Sequence, residues 1–128
     1  MRQLVNLPEA IAQRVARLHK KGVLYQYAEI HRPGKPSVWR EFVRLTIADC
    51  EQLVEYHTRR ARKAIARLEI TGSTRSTRTA ADHVYRARLY RWRYHEMIGN
   101  EPGEADMPFP LLSEEEAAAL AVEEDGPC

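Results

Sequence analysis

The sequence predicts an α+β fold that is mostly helical: an N-terminal helix, a β-hairpin, a long antiparallel helix pair and a short acidic C-terminal helix. Three observations carry that expectation. Apolar residues recur at helical spacing in several separate stretches. A segment rich in aromatic and β-branched residues is interrupted by Pro33, Gly34 and Pro36, as two strands joined by a turn would be. A Gly/Ser/Thr loop joins the two longest helical patterns and is short enough to set them antiparallel. With 128 residues and 44% hydrophobic content, the chain supports one compact domain, placed at 1–99, followed by a proline-containing linker and acidic helix over 100–128.

The first helix is expected over about 7–21, with Asn6 as its cap, Pro8 in its first turn and Gly22 as its terminator. Leu7, Ile11, Val15 and Leu18 form its apolar face, beside a ridge of Arg14, Arg17 and Lys21. The hairpin is expected to pair 23–31 with 38–45. Its tip, "HRPGKP", carries Arg32 and Lys35, which suits either a phosphate-touching wing or an ordinary polar turn. A second helix starts after Thr46, with Asp49 three residues on, and runs to about Glu69 with Gly72 beyond. Its apolar arc holds Ile47, Cys50, Leu53, Val54, His57, Ala61, Ala64, Ile65 and Leu68, leaving Arg59, Arg60, Arg62, Lys63 and Arg67 outside it. A 70–79 loop carrying Arg75 and Arg78 follows, and Thr79 with Asp82 would open the third helix over about 80–98. Beyond "EPGEADMPFP", Ser113 and Glu116 form a capping box for the last helix.

Charge is divided along the chain. Residues 57–95 hold eleven Arg/Lys against Glu69 and Asp82, whereas 96–128 hold ten Asp/Glu and no Arg or Lys. Such asymmetry suggests a polyanion-binding surface, an acidic tail, or both. Sixteen of the twenty basic residues are Arg, a ratio that a GC-rich genome also produces. The third helix concentrates the question. Winding it at 100° per residue gives two apolar stripes, one of Met97, Tyr90, Tyr94, Ala87 and Ile98 and one of Ala81, Trp92, Tyr85 and Leu89. Arg88 and Arg91 run along one flank, Arg86 and Arg93 along the other. Either neighbouring elements cover both stripes, with arginine stems snorkelling at the edges, or one stripe stays open for a partner.

No catalytic signature emerges. The spacing of His19, His31, His57, His83 and His95 fits no helical metal site, and no phosphate-binding loop or nucleophile elbow is present. Neither metal, cofactor nor enzymatic activity is expected. Cys50 and Cys128 are expected to be reduced thiols, and the absence of a stretch of roughly 18 apolar residues points away from the membrane and to the cytoplasm. Two functions then fit. The first is a nucleic-acid-binding accessory or regulatory protein using Arg59, Arg60, Arg62, Lys63, Arg67, Arg75, Arg78, Arg86, Arg88, Arg91 and Arg93, with Tyr85 and Trp92 available to stack. The second is an inhibitor or adaptor of the small phage or plasmid type, docking an acidic protein surface or a second copy of itself through the Tyr/Trp/Arg helix.

Overall fold

The computed structural model describes residues 6–100. The expected linker, acidic helix and Ser113–Glu116 capping box lie outside the described residues. The element order is α1 (Glu9–Lys21), β1 (Tyr27–Arg32), β2 (Lys35–Glu41), a 3-10 turn (Phe42–Arg44), α2 (Ile47–Thr71) and α3 (Thr74–Ile98). This is the expected helix, hairpin and antiparallel helix pair, with several boundaries moved.

Each moved boundary has a local cause. α1 starts later than expected because Asn6 takes a left-handed φ of 57° and Pro8 becomes the N-cap without a side-chain cap bond. Its C-terminus follows expectation, Gly22 in the αL conformation donating to the carbonyls of Leu18 and His19. β1 begins only at Tyr27, since the preceding link is held from below: the Tyr85 hydroxyl donates to the Val23 carbonyl. Pro33 and Gly34 make the hairpin tip, Gly34 supplying the positive φ of 68° that such a turn requires. β2 stops at Glu41, where the chain turns into the 3-10 element and thereby buries Phe42 and Leu45 while leaving Val43 outside. A longer strand would have sent Phe42 and Leu45 to opposite faces of the hairpin.

α2 opens with the expected Thr46 and Asp49, here a complete capping box: the Thr46 hydroxyl accepts from the Asp49 N–H and the Asp49 carboxylate accepts from the Thr46 N–H. Arg40 of β2 also reaches that carboxylate, tying the hairpin to the helix start. Burial works to raise the Asp49 carboxyl, but these donors outweigh it and the pKa is lowered.

The largest departure is the start of α3. Residues 74–79, expected as loop, are its first turns, and Thr79 with Asp82 lies inside the helix instead of capping it. Only Gly72 and Ser73 separate the two long helices. The hydroxyl-rich stretch stays helical because its inner side is small: Ser76 and Ala80 pack inward against α2. The core accordingly has two parts. Near the turn, Ala61, Ala64, Ala80 and Ala81 let the helices approach, and Ile11 and Val15 of α1 close the layer together with Val84. At the other end, larger groups fill the space under the hairpin: Ala28, Ile30, Phe42, Leu45, Leu53, Leu89 and Tyr90, with Trp92 and Met97 packed at the edge. The inner parts of both α3 stripes are thus covered within the fold, while Trp92, Tyr94 and Met97 stay half-buried and Ile98 is exposed. No helix among the described residues is long and apolar enough to cross a membrane.

Candidate nucleic-acid interface

The 3.6-residue period sorts the basic side chains of α2 into two faces. Arg60, Lys63 and Arg67 share one stripe with Tyr56 and Thr71; Arg59 and Arg62 lie on another, beside Glu51 and Glu55. The first stripe meets a matching stripe on α3, running through Arg75, Thr79, His83 and Arg86. Between them lies a groove of about 510 Å³. Its walls carry Arg60, Lys63, Arg67 and Arg75, interleaved with the hydroxyls of Thr71, Ser73, Ser76 and Thr79, and include no carboxylate. Lys63, Arg67 and Arg75 are exposed and form no ion pair among the described residues, and Arg60 is held only by the Tyr56 hydroxyl at 3.2 Å and by its position over the Tyr56 ring. Ser73 makes no side-chain cap bond, so the N-terminus of α3 opens at the same end with its first-turn N–H groups and positive dipole end.

Toward the hairpin the groove continues into a cleft of about 400 Å³, sharing Thr79 and His83 with it. The cleft is aromatic. His31 stacks on Tyr56 at 4.1 Å between centroids, and the Arg86 guanidinium lies 3.6 Å from the centre of the Tyr25 ring. At its base His57 and His83 meet Nδ1 to Nδ1 at 2.8 Å. One N–H must lie between those two nitrogens, so one ring donates and the other accepts, and both cannot be imidazolium together. Burial, then the neighbouring His83 and Arg86, push His57 from its ordinary 6.5 down to about 2; burial and then Arg86 and Arg60 lower His83 as well. At neutral pH His57 and His83 therefore add no positive charge to the groove and cleft.

The structure separates the residues that composition had grouped. Arg60, Lys63, Arg67 and Arg75 come together in the groove, and Arg86 stands at its junction with the cleft. Arg59 and Arg62 face a different depression, with Glu51, Glu55 and Tyr94. Arg75 and Arg78 are helical residues of α3, both exposed, instead of loop residues. Arg88, Arg91 and Arg93 are half-buried at the edges of α3; Arg93 pairs with Glu96 at 2.7 Å and leans over the Phe42 ring. At the hairpin tip Arg32 folds back onto the Pro36 carbonyl, donating at 3.1 and 2.8 Å, while Lys35 stays exposed. Tyr85 is a correction: it is fully buried, its hydroxyl is spent on Val23, and it offers no face to a ligand. Leu89 is equally buried and Trp92 is half-buried against the core, so their stripe is internal packing.

Sequence reasoning missed the residues that complete the site. His57 and His83 are on different helices, and only the turn at Gly72 and Ser73 sets them opposite each other. Tyr27, His31 and Trp39 belong to the hairpin, whose register, once known, puts Trp39 opposite Glu29 and beside Tyr27 on one face. The one legible signal was the alternation of Tyr27, Glu29 and His31 against buried Ala28 and Ile30. Among the described residues no group of three or more His, Cys, Asp or Glu is arranged to hold a metal, and burial pushes the Cys50 thiol up to about 12, far from thiolate chemistry. Neither the protein-family models, the curated proteins nor the solved structures contain a match to this chain, so its functional reading rests on this geometry.

Proposed function

We propose that the protein is a non-enzymatic nucleic-acid-binding protein that holds a sugar–phosphate backbone in the groove between α2 and α3. One observation carries the reading: four basic side chains from two helices line a single groove with four hydroxyls and no carboxylate. Guanidinium groups bind phosphate oxygens in bidentate fashion, lysine adds a point charge, and hydroxyls and first-turn N–H groups supply neutral donors. Contacts of this kind fix register on the backbone and carry little base information, so binding is expected to depend on salt far more than on sequence. The alternative, a protein partner docked on the Tyr85–Leu89–Trp92 stripe, has less to rest on, because Tyr85 and Leu89 are buried and Trp92 alone of the three is partly exposed.

The test is the joint variant Arg60→Gln, Lys63→Gln, Arg67→Gln and Arg75→Gln, titrated against labelled duplex and single-stranded oligonucleotides. Affinity should fall for every sequence, and the slope of log K against log salt should flatten by about 3 units as four phosphate contacts are lost. Since these side chains lie outside the core, the fold should remain. A folded variant with unchanged affinity and slope would overturn the proposal.

A further inference from the structure

Trp39 is 64% exposed and Tyr27 48% exposed, although both are large rings, on the hairpin face opposite buried Ala28 and Ile30. They stand on one face of the hairpin. Glu29 is the cross-strand partner of Trp39 and Glu41 that of Tyr27, so the two rings are diagonal neighbours, the spacing at which aromatic side chains present adjacent surfaces. Other rings of the same cleft are already engaged, His31 with Tyr56 and Tyr25 with Arg86. Among the described residues neither Trp39 nor Tyr27 stacks on another ring or lies under a cation. Between them the Glu29 carboxylate is fixed from two sides, accepting from the Ser37 hydroxyl at 2.8 Å and facing His31 Nε2 at 3.3 Å, while remaining partly accessible. The cleft thus offers open aromatic faces with a positioned acceptor beside them.

We infer that this cleft takes an unpaired nucleobase, stacked on Trp39 and Tyr27, from a strand whose phosphates lie in the adjoining groove, so that the ligand is single-stranded nucleic acid. The inference rests on the phosphate-binding reading and narrows it. Continuity carries it: Thr79 and His83 belong to both hollows, and one helical stripe runs from Tyr56 through Arg60, Lys63 and Arg67 to Thr71. At ~1.5 Å rise per residue that stripe is on the order of 20 Å long, enough to follow several nucleotides. Charge complementarity selects a polyanion for the groove, and the chain next to a polyanion's phosphate that is flat, aromatic and edged with N–H donors is a base. Glu29 can accept from such an edge, which an apolar side chain or acyl chain would leave unanswered. A duplex cannot satisfy the cleft, because its base faces are covered by their neighbours and its base-pair edges are held in the grooves.

The experiment uses the full chain with single-stranded DNA and RNA of one mixed sequence and the matching duplexes. Trp39→Ala with Tyr27→Ala should weaken single-strand binding by roughly tenfold or more, because removing an aromatic platform costs about that much per stacked base. Duplex binding should be unaltered, and so should the single-strand salt slope, since no phosphate contact is removed. A second readout does not depend on that variant folding: in a Trp92→Phe protein, Trp39 is the remaining tryptophan, and its fluorescence should be quenched by single strands and not by duplex. Trp39→Phe should keep most of the affinity. Equal quenching by duplex, or single-strand affinity indifferent to both cleft substitutions while the groove variant still weakens binding, would overturn the stacking site and leave the phosphate groove. Loss of no binding in the groove variant would overturn the underlying reading instead.

Discussion

Between Tyr90, Tyr56 and His83, the His57 ring has a partner for its Nδ1 and is buried, which disfavours a second proton. Its pKa, driven to about 2 by burial first and by His83 and Arg86 second, has a consequence for stability. Above about pH 6.5 neither the folded nor the unfolded chain protonates this ring, and no cost is felt. As pH falls below that value the unfolded chain takes up a proton that the folded chain refuses, so stability should drop by up to about 1.4 kcal/mol per pH unit until the folded pKa is reached. Urea unfolding between pH 7 and 5 checks this: wild type should lose about 2 kcal/mol more over that range than His57→Phe does. Identical pH dependence would show that His57 gains no such protection from protonation. The sequence placed His57 in the apolar arc of α2 and correctly implied a core histidine, yet its partner was invisible, because the contact spans a turn whose length was misjudged.

That turn is the informative element. Gly72 has a φ of 63° with open space where a Cβ would sit, so its substitution costs conformation alone. Gly72→Ala should destabilise the fold by about 1 to 2 kcal/mol, measured by thermal or urea unfolding, without altering nucleic-acid affinity per folded molecule. A neutral effect would mean the link relaxes freely and does not set the helix register. The start of α3 was hard to place from sequence for a physical reason: Ser and Thr compete for backbone hydrogen bonds and favour turns when nothing is packed on them. Here Ser76 and Ala80 are small enough to fit against α2, and tertiary contact overrides the local preference. The opposite case is Thr46 with Asp49, where local chemistry suffices and the cap was legible outright. The hairpin lies between these cases. Pro33 and Gly34 announced its tip, but its second strand ends early because burying both Phe42 and Leu45 needs a 3-10 turn that alternation does not signal.

For the molecule as a whole, charge was legible in sum and not in direction. The excess of arginine in 57–95 pointed to a polyanion surface, and helical periodicity separated core from non-core. It could not tell which basic side chains would face the same way as those of another helix, nor that the arginines of α3 beyond Arg86 would line a packed edge while Arg75 joined α2 across the groove. The central claim is therefore about direction, and a charge-matched pair of variants addresses it. Arg60→Gln with Lys63→Gln removes two charges from the groove; Arg59→Gln with Arg62→Gln removes two from the face beside Glu51 and Glu55. The measurement is the salt dependence of binding to one oligonucleotide for wild type and both variants. The groove pair should lose affinity and lower the slope by about 1.4 to 1.8 units, the phosphate count times ~0.7 for a single strand or ~0.9 for duplex, whereas the other pair should leave the slope close to wild type. Equal slopes for the two variants would contradict the account, since binding would then follow net charge and not the groove.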